Sequence, residues 1–94
     1  MAAAYDIDSD TNLSKANLMV APMQSTNLSC CNLSKSQVVR ANLLGASLSD
    51  ANLKGADMSY ADLSNVCLTG ADLRSANLAR TDLRKTSLNG AIVE

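Results

Sequence analysis

Large apolar side chains recur at every fifth position along most of this chain. Counting from Leu13 to Val93 in steps of five gives 17 positions, of which 13 are leucine and the other four are methionine or valine. On an α-helix, residues five apart are rotated by about 140° from one another, so the leucines would spread around the whole helix. On a straight β-strand, an odd spacing would place successive leucines on opposite faces. The chain must therefore change direction about once per five residues, so that each leucine returns to one axis.

The positions around each central residue follow a rule of their own. Two residues before the centre the side chain is small, with ten Ala, four Thr and single Ser, Cys and Val residues. Asn or Asp stands directly before the centre in 11 of the 17 repeats, and the two positions after the centre carry all eight Lys and Arg residues. Short Asn and Asp side chains can hydrogen-bond nearby backbone at bends. The pattern predicts that the small and the central residues point inward and that the other three point outward.

The segment ANLKGADMSYADLSNVCLTGADLRSANLARTDL, from Ala51 to Leu83, resembles the tandem A(D/N)LXX motif of the pentapeptide-repeat protein family, and a weaker match covers residues 11–94. The resemblance implies an all-β fold, a right-handed quadrilateral β-helix with four pentapeptides per coil. At 20 residues per coil, this solenoid would make a little over four coils stacked about 4.8 Å apart. The predicted structural core consists of the central leucines: Leu13, Leu18, Leu28, Leu33, Leu43, Leu48, Leu53, Leu63, Leu68, Leu73, Leu78, Leu83 and Leu88.

Residues 1–10 do not follow the repeat. Continuing the five-residue frame would place Asp6 and Asp8 at inward positions, where unpaired charges are costly. We therefore expect residues 1–10 to be a tail or a cap, and residues 11–94 to form the solenoid. Because the opening has no long apolar run and no basic start, and no segment approaches the length of a membrane span, the expected location is cytoplasmic.

The residue types that carry most enzyme chemistry are missing or dispersed. The chain has no histidine, and its Asp residues recur as a feature of the repeat rather than as a converging pair. Cys31 is predicted to be inward, while Cys30 and Cys67 are predicted to lie about 10 Å apart on one side, too far for a disulfide. An adjacent cysteine pair without histidine is a poor zinc site. We expect no catalytic residue, no metal and no cofactor.

The charge pattern bears on nucleic-acid partners. The repeats of residues 11–94 carry eight Lys and Arg residues against six acidic residues, a net charge of +2. The resembled family is best known for fluoroquinolone-resistance proteins that imitate DNA and bind DNA gyrase, and a DNA mimic needs a strongly negative rod. A DNA mimic directed at DNA gyrase or another DNA-binding protein is therefore the alternative hypothesis. Direct nucleic-acid binding is disfavoured, because the basic residues are spread over three predicted faces among aspartates.

Departures from the repeat indicate where specificity would lie. Several outward positions in two adjacent predicted columns are apolar, aromatic or cationic: Met19, Val20, Val39, Arg40, Tyr60 and Arg80. Isolated exposed apolar residues are common on protein surfaces, which is the simpler interpretation of this strip. The functional hypothesis is a docking face for an unidentified protein partner, on a non-enzymatic structural or protein–protein interaction module.

The ends of a solenoid require protection. An uncapped end exposes strand edges and leucines, so it must be capped, associate with another molecule or continue into a further domain. We expect either an end-to-end homodimer or a fragment of a larger protein, with Pro22 blunting an edge in an early coil. As a test of the fold, Leu63→Asp should disrupt the domain, whereas Ser64→Asp should be tolerated.

Overall fold

The computed structural model describes residues 7–8 and 10–93, and through them the chain winds as a right-handed quadrilateral β-helix. This part of the chain contains no helix, and therefore none long and apolar enough to cross a membrane. Its β-structure consists of single residues that form parallel bridges to the residue 20 positions later. The bridges form four columns: Asn12, Asn32, Asn52, Asp72 and Ile92; Asn17, Gln37, Asp57 and Asn77; Pro22, Asn42, Asp62 and Asp82; and Asn27, Ser47, Cys67 and Ser87. Four columns at a 20-residue spacing confirm the predicted four-sided coil.

Each side of the coil ends in a tight turn. In the first of the regular turns, the Ala16 N–H donates to the Leu13 carbonyl oxygen over 3.0 Å, and Lys15 has a φ of 61°. A hydrogen bond spanning four residues, with positive φ at the third residue alone, defines a type II turn. Because the same pattern recurs every five residues, the chain changes direction once per repeat, as the leucine spacing predicts.

Backbone hydrogen bonds join the coils in both directions along the axis. The Leu33 N–H donates to the Asn52 carbonyl oxygen over 2.7 Å, and the Asn52 N–H donates back to the Cys31 carbonyl oxygen over 3.0 Å. Residues directly before a centre thus donate toward the N-terminal side. Pro22 occupies such a position in the first regular coil and has no N–H to donate. Because the missing bond would point away from the next coil, the hydrogen bonds between these two coils are unaffected.

The inward residues form a closed core in the middle coils. The predicted core leucines that are at most 3% exposed are Leu28, Leu33, Leu43, Leu48, Leu53, Leu63, Leu68 and Leu73. Leu13, Leu18 and Leu78 are partly buried and pack against this cluster. Burial of each leucine stabilises the fold by about 1.5–3 kcal/mol, which explains how a chain without Phe or Trp can form a stable core.

The structure corrects three sequence-based expectations about burial. Leu83 and Leu88 were predicted to be core residues, yet they are 39% and 44% exposed, because no coil stacks on them within the described residues. Ser64, predicted to be a tolerant surface position, is only 8% exposed, and its hydroxyl donates to Asp62 Oδ1 over 2.6 Å. A carboxylate at position 64 would therefore meet the carboxylate of Asp62, and Ser64→Asp is expected to destabilise the fold.

The proposed tail or cap of residues 1–10 falls mostly outside the residues that the structure describes, and this includes Asp6. Within the described part, Ile7 packs against the core and Asp8 is exposed. The Asp8 carbonyl accepts the Thr11 N–H over 3.3 Å, and Asp10 has the positive φ of a turn residue. The turn pattern thus extends back to Asp8. The five-residue frame would place Asp8 against the core, but Ile7 packs there instead. The division into a tail and a solenoid stays a prediction.

Candidate protein-docking site

The recurrent Asn and Asp residues have a shared structural role. In all eleven repeats that carry one, its Oδ1 accepts the backbone N–H two residues later over 3.0–3.1 Å. Such a side chain closes an Asx turn and so helps to set the bend at each corner. The prediction that these side chains hydrogen-bond to nearby backbone is confirmed. Turn formation explains why Asn and Asp recur at this position.

The position of an arginine within its repeat decides whether its charge is neutralised. Arg74 and Arg84 directly follow a central leucine, and each pairs with the Asp two residues earlier. Arg74 Nη2 lies 2.7 Å from Asp72 Oδ2, and Arg84 Nη2 lies 2.6 Å from Asp82 Oδ2. The hydrogen bonds that these side chains donate lower the pKa of the two carboxyl groups to about 2.

Arginines at the turn position have a different environment. Arg40 and Arg80 belong to repeats that carry Gln37 and Asn77 where Asp would stand, and neither has a carboxylate within 4.0 Å among the described residues. Their guanidinium carbons lie over the ring of Tyr60, at 4.5 Å and 6.0 Å from its centroid. Both distances are within the range of cation–π interactions. Two uncompensated positive charges therefore flank one aromatic ring.

We call the four stacked turn residues Val20, Arg40, Tyr60 and Arg80 the Tyr60 corner. They occupy the same position in successive coils, and their φ angles lie between 58° and 62°. Val20 and Tyr60 are 65% and 48% exposed, so neither contributes its full side chain to packing. Positive φ is especially unfavourable for a β-branched residue. The core therefore gives no reason for a valine at position 20.

An apolar surface adjoins the first coil of the Tyr60 corner. Met19 is exposed, and Val39 in the next coil is half-buried. A shallow cavity of about 320 Å³ lies between Ile7 and residues 17–23. The six predicted docking residues are thus placed together, along one corner and the side that leads to it.

Two features of this surface were missed from the sequence. Ile7 lines the cavity although it lies outside the five-residue frame; the signal for it is a single large apolar residue between two aspartates. The stacking of both arginines on Tyr60 was also missed, although the 20-residue columns had placed the three residues in adjacent coils. The 20-residue spacing predicts which side chains are neighbours in adjacent coils, but it does not predict the rotamer that each side chain adopts.

The thiols have local partners. All three cysteines are free, with Cys30 exposed and Cys31 buried. Cys67 Sγ hydrogen-bonds with Ser49 Oγ at 3.1 Å and with Thr69 Oγ1 at 3.3 Å, which lowers its pKa, whereas burial raises the pKa of the Cys31 thiol. In the described part of the chain no group of three or more His, Cys, Asp or Glu residues is placed to hold a metal ion.

One family model and three solved structures of pentapeptide repeat proteins are similar to this chain. A family model for pentapeptide repeats matches residues 31–70 and 56–94, with eight copies. Among solved structures, HetL, a pentapeptide repeat protein involved in heterocyst differentiation regulation in the cyanobacterium Nostoc sp. strain PCC 7120, is 35% identical over 90% of this chain, with a TM-score of 0.87. A pentapeptide repeat protein of the Arabidopsis thaliana thylakoid lumen is 30% identical over 88% of the chain, with a TM-score of 0.71. Rfr23 from the cyanobacterium Cyanothece 51142 is 31% identical over 92%, with a TM-score of 0.62.

The similarity covers only part of these solved proteins. The chain spans 39% of HetL, 61% of the Arabidopsis protein and 59% of Rfr23. No curated protein sequence matches the chain.

Proposed function

Because the chain belongs to the pentapeptide-repeat family, we propose that it is a non-enzymatic interaction module that binds a protein partner through the Tyr60 corner and the adjoining Met19 and Val39. The observation that carries this proposal is the exposure of Val20 and Tyr60 at positions where the backbone favours glycine. The turn itself does not require a valine or a tyrosine, because glycine occupies the same position in four other repeats. A binding role accounts for both.

The chemistry of the Tyr60 corner fits an interface. Glycine fills the same turn position at Gly45, Gly55, Gly70 and Gly90, so the coil tolerates a residue without a side chain there. Aromatic and arginine side chains are enriched at protein interfaces and often provide most of the binding energy. At this corner one tyrosine, two arginines and an exposed valine lie within four coils.

The similar structures support a regulatory binding role in general terms. HetL is a protein involved in heterocyst differentiation regulation, a role that binding to a partner can serve. Because the chain spans only 39% of HetL, the proposal for this chain includes binding to a partner and leaves out the regulatory role of HetL.

The gyrase-directed alternative has weaker support, because eight basic residues against six acidic ones give the repeats a positive net charge. A DNA mimic would require the opposite sign. A supercoiling assay with purified gyrase separates the two functions, and we expect the chain to leave gyrase activity unchanged.

The cytoplasmic location is likewise a proposal. The alternative compartment is a lumen, because one similar protein comes from the thylakoid lumen of Arabidopsis thaliana. Cell fractionation with an antibody against the chain distinguishes the two compartments.

The docking proposal is tested by affinity capture with a charged variant. We expect the triple variant Val20→Glu, Val39→Glu, Tyr60→Glu to lose a partner that the unchanged chain captures and that mass spectrometry identifies. The matched control is Ser25→Glu, Thr69→Glu, Ser75→Glu, which alters three exposed positions at the same places in other repeats. Circular dichroism should show that both variants are folded. Undiminished capture by the first variant, or equal loss with the control, would overturn the proposal.

A further inference from the structure

We propose that the Tyr60 corner recognises an extended acidic peptide segment, with two carboxylates placed at Arg40 and Arg80 and an apolar side chain at Val20 and Met19. This inference rests on the proposed docking function and specifies the chemistry of the partner. It follows from the charge, the spacing and the apolar end of the corner.

In the described part of the chain, neither guanidinium group of the corner forms an ion pair with a neighbouring carboxylate. Asp57 Oδ1 accepts the Ser59 N–H and hydroxyl over 3.1 Å and 2.8 Å, and Asp62 Oδ1 accepts the corresponding groups of Ser64 over 3.0 Å and 2.6 Å. Those bonds orient each carboxylate toward its own turn. Among the described residues, the ion-paired arginines are Arg74 and Arg84, each of which directly follows a central leucine. Two guanidinium groups at the corner are therefore available for carboxylates from a partner.

The two guanidinium groups lie close enough together for one extended chain to reach both. Both lean over the same ring, so they lie no farther apart than the sum of their distances of 4.5 Å and 6.0 Å to its centroid. In an extended peptide, alternate side chains point to one face at intervals of about 6.7 Å. Acidic residues two positions apart can thus each meet one arginine. Stacking on Tyr60 also orders the guanidinium groups before binding, which reduces the entropy lost when the partner is bound.

The apolar end gives the site a direction. Val20 precedes Arg40 in the stack, and together with Met19 it lines the cavity of about 320 Å³ beside Ile7. A cavity of this size can receive one aliphatic side chain. The preferred segment therefore has an apolar residue on one side of the two acidic residues.

An acidic peptide fits this surface better than a nucleic acid does. A nucleic-acid strand is held by a groove of several basic residues with aromatic stacking partners. Here Asp57 and Asp62 occupy outward positions on the two sides that meet at Tyr60, so the positive strip is narrow. Its continuation toward Val20 is apolar.

The test uses a fluorescein-labelled synthetic peptide of eight residues, with one leucine followed at two-residue intervals by two glutamates and with serines between them. Binding to the full chain is measured by fluorescence anisotropy at about 0.15 M salt. We expect the double variant Arg40→Gln, Arg80→Gln to bind about ten-fold more weakly or worse. The matched control, Lys15→Gln, Lys85→Gln, removes two charges from the same turn position on other corners and should change the affinity by less than about two-fold. A peptide with glutamines in place of the glutamates should lose affinity to the same extent as the arginine variant.

Three results would overturn the inference. The first is a dissociation constant above about 1 mM for the acidic peptide, and the second is equal weakening by the two double variants. The third is tighter binding of a labelled ten-nucleotide oligothymidine that depends on Arg40 and Arg80, which would identify a nucleic-acid site. Failure here leaves the docking function testable separately, because the capture experiment with the Val20, Val39 and Tyr60 variant does not depend on the arginines.

Discussion

At the scale of single residues, the turn position of each repeat imposes its backbone conformation on whatever residue stands there. Thirteen non-glycine residues and four glycines in the described part of the chain have positive φ. Each L-residue in this region costs about 1–2 kcal/mol relative to a right-handed conformation. The side chains found there therefore oppose folding locally, and the hydrogen bonds between coils offset this cost.

Val20→Gly should stabilise the fold by about 1 kcal/mol, because glycine removes the strain of a β-branched residue at a φ of 61° without emptying the core. The measurement is the urea midpoint of unfolding. Val39→Gly is the control, since Val39 is half-buried and outside the positive-φ positions, and it should lower the midpoint. Lower midpoints in both variants would show that the strain at position 20 is not significant.

The ion pairs on the surface predict a specific titration. Replacing Arg84 with glutamine removes the hydrogen bonds that hold the pKa of Asp82 at about 2, so this pKa should rise toward its ordinary value of about 3.9. The Asp72 pKa should stay low in the same variant, because Arg74 is unchanged. Carbon-detected NMR titration of both carboxyl groups measures this. An unchanged Asp82 would exclude Arg84 as the cause.

The same shifts fix the sign of a pH effect on stability. A carboxyl group whose folded-state pKa is lowered stabilises the fold fully above its unfolded pKa of about 3.9. That contribution is lost as the pH falls toward about 2. Because both pairs lie at the surface, salt should weaken the effect.

At the scale of the repeat, the sequence predicted most of what the structure shows about the backbone. The five-residue spacing of leucine required a bend in every repeat, and the small residues marked the second inward position. The number of sides came from the family resemblance, because spacing alone does not set the angle of each turn. Burial of Ser64 was not predictable, since it depends on side chains from adjacent coils rather than on the position within a repeat.

Leu63→Asp should unfold the domain, because a carboxylate would replace a completely buried side chain in a middle coil. We expect a loss of more than about 3 kcal/mol. Ser75→Asp is the appropriate control in place of Ser64, since Ser75 is exposed at a turn position that Asp10 and Asp50 also occupy. Circular dichroism and the dispersion of amide NMR signals report the outcome. A folded Leu63→Asp protein would contradict the assignment of this residue to the core.

At the scale of the whole molecule, the ends of the solenoid differ from its middle. Leu83, Leu88 and Val93 are exposed, and no further coil stacks on them among the residues that the structure describes. Exposed strand edges favour association. We expect the purified chain to self-associate with rising concentration in light scattering, and Leu88→Lys to reduce this. A monomer at all concentrations would show that the end is protected.

The docking site was only partly predictable from the sequence. Columns at a 20-residue spacing placed Val20, Arg40, Tyr60 and Arg80 in one line, and the structure brings them together. Which arginines remain without a carboxylate depends on the turn geometry, which lets a residue directly after the centre reach back to Asp72 or Asp82. Neither composition nor net charge contains that information.

The central claim is that the partner contacts the Tyr60 corner, and site-specific photo-crosslinking tests it most directly. A photoreactive benzoylphenylalanine is placed at Tyr60 in one variant and at Ser75 in another; both positions are exposed and have a φ of 62°. We predict a crosslinked partner from position 60 and none from position 75. Crosslinking from position 75 alone, or with equal yield from both, would contradict the claim.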